Sequence, residues 1–511
     1  MSAYRLLSIA AVILFTLFAA VLLACGTSFT ADDSKTESDA SNRVADAGEA
    51  DTSIVVLPPP EKDASPQRDG GACKPTAEPK DTPCLVDETY GVFVSAAGHD
   101  SAAGTTADPI RTITAGITKA LLGPKRVFVC SGTYDEHLVV GASQDGVGVY
   151  GGFDCAGWTY QASNAAKVTP STTGYALEVD SLTAGATFED LEFDAQSGQM
   201  PGESSIAVFA NQSVVTFRRV VMKAGDGVAG AGGDGGSNYA RPQASSGNDA
   251  DGGTGGAQVQ CTCVNGDQSA GGAGGAGGPP SVSGLPGTPS LSGGQPGAGG
   301  TGACGTGSGG NGSPSPDAPL AAGATSHGAL ANHGWSAAAG VAGSNASIAQ
   351  GGGGGGGNSG TAGRGGGSAG GCGGCGGAGG TAGRGGGASF ALISYQSTIA
   401  LDVASLTTGD GQKGGQGGSG QAGQSGGVAG SSSPPGCLGG TGGSGGGGSG
   451  GGGGAGGVSV AIGYVGTVPT QTALITKVGN FGTGGPGGAG GGVSNTGGKG
   501  EDGVAMAVLG L

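Results

Sequence analysis

Three stretches of this chain, far apart in sequence, share one template and are separated by long glycine tracts. SIAVFANQSVVTFRRVVMKAGDG runs from Ser205 to Gly227, and SFALISYQSTIALDVASLTTGDG runs from Ser389 to Gly411 without a gap in the alignment. A third copy, SVAIGYVGTVPTQTALITKVG, begins at Ser459. Apolar residues alternate within each copy. A repeat of this length and pattern describes one coil of a stacked β-architecture, because a single layer cannot bury its own apolar face. The glycine tracts then read as insertions that loop out between layers.

Composition divides the chain in two. Of 124 glycines in 511 residues, twenty precede Gly225. Glycine loses more backbone entropy on ordering than any other residue and brings no side chain to bury, so much of the second half cannot form an ordinary hydrophobic core. Glycine at strict every-third spacing with high proline, as collagen needs, is absent. The net charge of −16 argues against nucleic acid as a partner, since phosphates would be repelled. Half of that charge falls in residues 27–90, whose acidic, Ser/Ala/Pro-containing composition reads as a disordered spacer.

The N-terminus carries Arg5, an apolar run from Leu6 to Leu23, and then Ala24-Cys25-Gly26. This is the layout of a secretory signal. Leu22-Leu23-Ala24-Cys25 resembles the lipobox of bacterial lipoproteins, which implies lipidation of Cys25, anchoring in a membrane through that lipid, and export. Gly26 after the cysteine points by analogy to the outer membrane. Ten further cysteines suit disulfides in an exported protein. Cys73–Cys84 and Cys130–Cys155 are plausible pairs by proximity, although spacing alone does not fix connectivity. Cys372-Gly-Gly-Cys375 reads as a disulfide stapling a glycine loop rather than as a metal or redox motif.

Residues 92–155 bring a second resemblance. Val92-Phe93-Val94-Ser95, Gly98-His99-Asp100, Gly104-Thr105, Asp108-Pro109, Arg111-Thr112-Ile113 and Ala115-Gly116-Ile117 are followed by Val127-Phe128-Val129, Gly132-Thr133-Tyr134, Glu136 and Val149-Tyr150-Gly151-Gly152-Phe153. Together they resemble the opening of right-handed parallel β-helix proteins of the pectate-lyase-like superfamily. The resemblance implies a cap and a stack, not a reaction. Ile113, Ile117, Ala120 and Leu121 fall at helical spacing and fit a short helix closing one end of the stack.

Thr187–Phe193 aligns with Thr216–Met222 at a constant offset. In a parallel stack, like positions lie about 4.8 Å apart and form ladders. Phe188, Phe217 and Leu401 should form one interior ladder, and Leu191 and Val220 another. Glu189, Arg218 and Asp402 should form a charged ladder on the outside.

The tracts from Gly225 to Gly387, Gly409 to Gly457 and Gly479 to Gly503 contain triplet runs such as GGAGGAGGPP (271–280) and GGCGGCGGAGG (370–380), and TAGRGGG occurs twice. They are similar in composition to the glycine-rich repeats of the mycobacterial PE-PGRS family, without its N-terminal helical module. Triplet glycine suits packed polyproline-II-like helices, and a flexible linker is the other reading.

The expected organisation is therefore all-β: a right-handed parallel β-helix with long glycine-rich insertions. A signal peptide covers 1–24 and an acidic tether 25–90. Cap and coils occupy 91–225, 388–411, 458–479 and the terminal strand 504–511. Glycine-rich segments occupy 226–387, 412–457 and 480–503.

Motifs for chemistry are sparse. Glycine-rich GxGxxG matches lack a strand–helix context, and Lys499 is not followed by the hydroxyl residue that a phosphate loop needs. The histidines His99, His137, His327 and His333 lack metal-ligand spacing, so neither cofactor nor metal is expected. The expectation is a non-catalytic surface protein of structural or adhesive role, facing extracellular polysaccharide or other surface proteins. A polysaccharide lyase or glycoside hydrolase, as the superfamily resemblance permits, would have to use Asp190, Glu192, Asp194 and Arg218. Glycan binding without catalysis would draw on Tyr150, Trp158, Tyr160 and Tyr175, although core packing explains these residues more simply.

Overall fold

A computed structural model describes residues 73–511, apart from 75, 302, 303, 361 and 362. The signal segment, Cys25 and the spacer up to residue 72 lie outside the described residues. The fold is all-β, with one α-helix among the described residues, and is dominated by three long parallel sheets. The seven-stranded first sheet contains Val92–Val94, Arg126–Cys130, Gly148–Phe153, Ala186–Glu189, Val214–Arg218, Thr398–Asp402 and Thr470–Thr472. The six-stranded second sheet contains Gly132–Tyr134, Ala166–Val168, Leu191–Asp194, Val221–Lys223, Ser405–Thr407 and Ile475–Lys477. The six-stranded third contains Leu138–Val140, Leu177–Asp180, Ser205–Asn211, Ser389–Tyr395, Ser459–Val465 and Ala505–Gly510. From Arg126 onward the chain visits first, second and third sheet in turn, so each circuit adds one strand to every sheet.

Register follows the repeated template. Phe217 pairs with Phe188 on one side and Leu401 on the other, and the two phenyl rings stack at 5.5 Å. Such a ring pair contributes about 0.5–1.5 kcal/mol beyond the area it buries. Met222 sits between Phe193 and Leu406 in the second sheet, and Val208 between Leu177 and Leu392 in the third. Leu191 and Val220 are both buried in the same core. In the last strands of the first and second sheets the ladders turn polar: Gln471 lies beside Leu401 and Thr476 beside Leu406. The corners also repeat. Asp190, Arg219, Val403 and Ala473 all take positive φ between the first and second sheets, and Ser181, Gln212, Gln396 and Gly466 do so between the third and first. A left-handed residue bends the chain sharply enough to start the next strand.

The helix Ile113–Ala120 packs Ile113, Gly116, Ile117 and Ala120 inward at the start of the stack. Thr112 Oγ1 accepts from Ala115 N, and the Glu136 carboxylate accepts from the N–H groups of Ile113 and Thr114, so the helix start is satisfied twice over. Residues 73–90 depart from the expected spacer. The Cys73–Cys84 disulfide closes this segment, Leu85 is fully buried, and Val86 packs against the cluster of Phe93, Phe128 and Phe153. Acidic composition suggested a solvated segment, but its few apolar residues coincide with an aromatic cluster that needs cover.

Every long insertion leaves from one corner. The links from second to third sheet are 135–137, 169–176, 195–204, 224–388, 408–458 and 478–504. The outgoing glycine legs continue the stacking of the layers: Gly227, Gly230 and Gly233 donate to the carbonyls of Asp410, Lys413 and Gln416, and Gly411, Gly414 and Gly417 to those of Asn480, Thr483 and Pro486. The innermost leg shows the geometry most clearly. Gly351 and Gly354 donate to Thr288 and Leu285, Gly352 and Gly355 to Gly371 and Ser368, and Gly353 and Gly356 to Gly310 and Gly307, at 2.7–3.0 Å. Its carbonyls at Gly352, Gly353 and Gly354 accept from Gly272, Gly440 and Gly297. One leg thus meets six neighbours, each at every third residue, which is the periodicity of a polyproline-II helix. A Cβ on Gly351, Gly352 or Gly353 would collide with the carbonyl of Ala270, Gly440 or Gln295. Close approach, not flexibility, explains the glycine.

The insertion also folds back. Its hairpin Gly328–Ala331 and Gly334–Ala337 covers the outer face of the third sheet, where Leu330 and Trp335 join a cluster containing Ile206, Phe209, Phe390 and Ile393. The strands Ser205–Asn211 and Ser389–Tyr395 are consequently buried on both faces, apart from the half-exposed Tyr395.

Cys73–Cys84 and Cys130–Cys155 join as their proximity suggests. Cys372 and Cys375 do not join each other. They bond to Cys261 and Cys263, and Cys304 bonds to Cys437. The reason is pitch: at about 3.1 Å per residue, positions three apart point the same way but stand about 9 Å from each other, too far to bridge. The strand Val259–Thr262 and its continuation present Cys261 and Cys263 on one side, two residues apart, and so meet both. A non-reducing peptide map should show the fragment containing Cys372 and Cys375 cross-linked to the fragment containing Cys261 and Cys263; an internal Cys372–Cys375 loop would contradict this pairing. Gly353→Ala should lower stability by about 1–3 kcal/mol through overpacking. Gly123→Ala, where nothing lies within 4 Å of an added Cβ, should change it by less than about 0.5 kcal/mol, with thermal melting as the readout.

Candidate functional site

The outer face of the first sheet carries a groove of about 430 Å³. One column across it runs Phe128, Tyr150, Glu189, Arg218 and Asp402 in paired register. Lys125, Arg126, Thr187 and Thr216 line it beside that column, and Glu78 from the docked N-terminal segment closes one side. The Arg126 guanidinium lies 5.7 Å from the Tyr150 ring centre, a cation–π contact.

The charged ladder expected on the exposed outside is here a covered network. The Glu189 side chain is 2% exposed, with Arg218 Nη1 at 2.8 Å and Arg219 Nη2 at 2.9 Å. Arg219 also holds Asp190 through Nε at 2.9 Å and reaches Glu78 at 3.2 Å, while Tyr160 donates to Asp190 at 3.0 Å. Burial pushes the Glu189 carboxyl above its usual range, partly offset by the Arg218 hydrogen bond. Burial works against the Arg219 cation, but its hydrogen bond to Asp190 and the surrounding carboxylates outweigh that and hold it firmly charged. Sequence reasoning passed over Arg219 and Glu78. Arg219 sits at the left-handed corner rather than on a ladder, and Glu78 was one acid among many in the spacer.

The other candidate acids lie apart, on the second sheet. Lys167 Nζ is 2.5 Å from Asp194 and 3.6 Å from Glu192, and Lys223 Nζ is 2.5 Å from Glu192. Asp190, Glu192, Asp194 and Arg218 therefore divide between two networks in which each carboxylate already has a cation. The aromatic candidates also separate. Trp158 is 7% exposed and packs edge-on to Phe93 at 4.7 Å, so it is a core residue and not a sugar platform. Tyr150 and Tyr160 pack against that same cluster, whereas Tyr175 belongs to the outer face of the third sheet. Among the described residues no group of three His, Cys, Asp or Glu could hold a metal ion. The groove can seat a polar ligand among hydroxyls and paired charges. Its carboxylates are committed to the fold.

One wall of the groove is set by a carboxylate outside it. Asp145 accepts from the N–H groups of Thr183, Ala184 and Gly185 and from the Thr183 hydroxyl, and the Ala184 bond leads in holding its pKa down at about 2. Because the folded-state pKa lies below the ordinary 3.8, this stabilisation is complete above about pH 4 and is lost as pH falls through 2. Melting temperature should drop between pH 4 and pH 2, and Asp145→Asn should flatten that part of the profile while lowering stability at pH 7. An unchanged acid limb would assign the loss to other groups. In comparisons with known proteins, the chain matches no family model, no curated protein and no solved structure.

Proposed function

We propose that this chain is an exported, lipid-anchored surface protein, built as a right-handed parallel β-helix that carries a packed bundle of polyproline-II glycine legs. Its role is structural or adhesive, in a coat, matrix or contact with extracellular polysaccharide or other surface proteins. Right-handed winding follows from the strong preference of parallel crossovers for that hand. The observation that carries the reading is the shared register of layers and glycine legs, which couples the insertions to the stack as a stiff lateral body. Such a body offers extended surface and few free reactive groups. The pairing of Glu189, Asp190, Glu192 and Asp194 with cations weighs against a lyase or hydrolase centred on them.

The anchor rests on Leu22-Leu23-Ala24-Cys25 and the apolar run before it. Expressed in a Gram-negative host with labelled palmitate, the full chain should take up label and fractionate with the outer membrane. Cys25→Ala should be unlabelled and leave the membrane fraction. Equal membrane association of the two proteins would overturn the lipid anchor.

A further inference from the structure

A second cavity, of about 480 Å³, lies where the glycine insertion meets the outer face of the third sheet. Tyr175, Glu203, Ser204, Trp335, Ser336 and Arg384 line it. It is separate from the groove on the first sheet, and one wall is the hairpin strand Gly334–Ala337 folded back over the layers.

Its two aromatic rings are held from below by the sheet. Trp335 packs on Phe390 with ring centres 5.1 Å apart, and Tyr175 on Phe209 at 5.1 Å. Both remain partly exposed. Gly334, at φ +104°, lets the hairpin settle onto the ring, because a Cβ there would run into the Tyr175 hydroxyl. Burial, and secondarily the Glu178 charge, push the Tyr175 phenol up to about 12, so it stays a donor at neutral pH.

The charged groups are one of each sign. Glu203 Oε2 accepts from the N–H groups of Gln199 and Met200 at 2.7 and 2.8 Å, which keeps this carboxyl below its usual range and ionised. Arg384 is exposed, and its guanidinium has no hydrogen-bond or ion-pair partner among the described residues. Rigid aromatic rings with one fixed acceptor and one uncommitted donor suit a ligand with an apolar face and a rim of hydroxyls. An acidic ligand would meet the Glu203 charge, and a purely apolar one would strip water from both ions without replacing it.

We infer that this cavity binds a neutral saccharide, a pyranose ring lying against Trp335 and Tyr175 while its hydroxyls donate to Glu203 and accept from Arg384. The site is independent of the lipid anchor.

The test uses the full chain with three neutral probes, maltotriose, cellotriose and tri-N-acetylchitotriose, and an acidic counterpart, triglucuronate. Calorimetry gives affinity, and tryptophan emission gives location, since Trp158 and Trp335 are the two tryptophans of the chain. At least one neutral probe should bind with a Kd of about 1 mM or tighter and shift the emission. Arg384→Met should weaken it about tenfold or more, as expected for a charged hydrogen bond. Trp335→Phe, which keeps a ring on Phe390, should abolish the emission change, whereas Trp158→Phe should preserve it. Absence of binding by every neutral probe, preference for triglucuronate, or binding that Arg384→Met and Trp335→Phe leave intact would each overturn the inference.

Discussion

Backbone-to-backbone hydrogen bonding between glycine legs is the interaction on which the second half of this molecule rests. The legs bury little beyond alanine methyls, so most of their folding free energy must come from satisfied amides and close van der Waals contact. Gly351–Gly357 shows how this is possible. Three residues per turn send successive N–H groups in three directions, and glycine lets six neighbours approach within hydrogen-bonding range. The entropic cost of ordering so many glycines is large. It is offset because each insertion begins and ends on a strand whose position the β-layers already fix, and because three disulfides tie segments more than one hundred residues apart.

The layers and the legs therefore depend on each other. Layers supply register: the pairing of Ser205 with Ser389 continues without interruption into that of Gly227 with Asp410. The glycine insertion supplies cover, placing Trp335 and Leu330 on a sheet face that would otherwise expose Ile206, Phe209 and Phe390. The same fold-back creates the cavity between Tyr175 and Arg384, so its walls come from both compositional halves.

Much of this was legible in the residues. Period-two apolar alternation and the repeated template gave the parallel sheets, and the ladder of Phe188, Phe217 and Leu401 could be aligned by eye. The glycine triplets announced a three-residue period. Other features were hidden for physical reasons. The partners of Cys372 and Cys375 depended on the pitch of the leg and on a hairpin whose position no local pattern specifies. Glu78 was anonymous within an acidic segment until that segment docked on Arg218 and Arg219. For Trp158 the simpler expectation of core packing holds, since its ring is buried edge-on to Phe93; aromatic residues serve both cores and sugars, and burial separates the two. Trp335, a lone indole within a glycine tract, was the available signal for the cavity, since such a residue has no role in a bundle of bare backbones.

The three-residue repeat of the legs has a consequence for how this molecule can change over generations. Removing one triplet from the middle of a leg shortens it but leaves every remaining amide aimed at its former partner. Losing one or two residues rotates all that follows by about 120° per residue and misdirects each donor at once. Length variation among natural versions of such a bundle should therefore come in whole turns, a reading frame written in protein geometry rather than in codons.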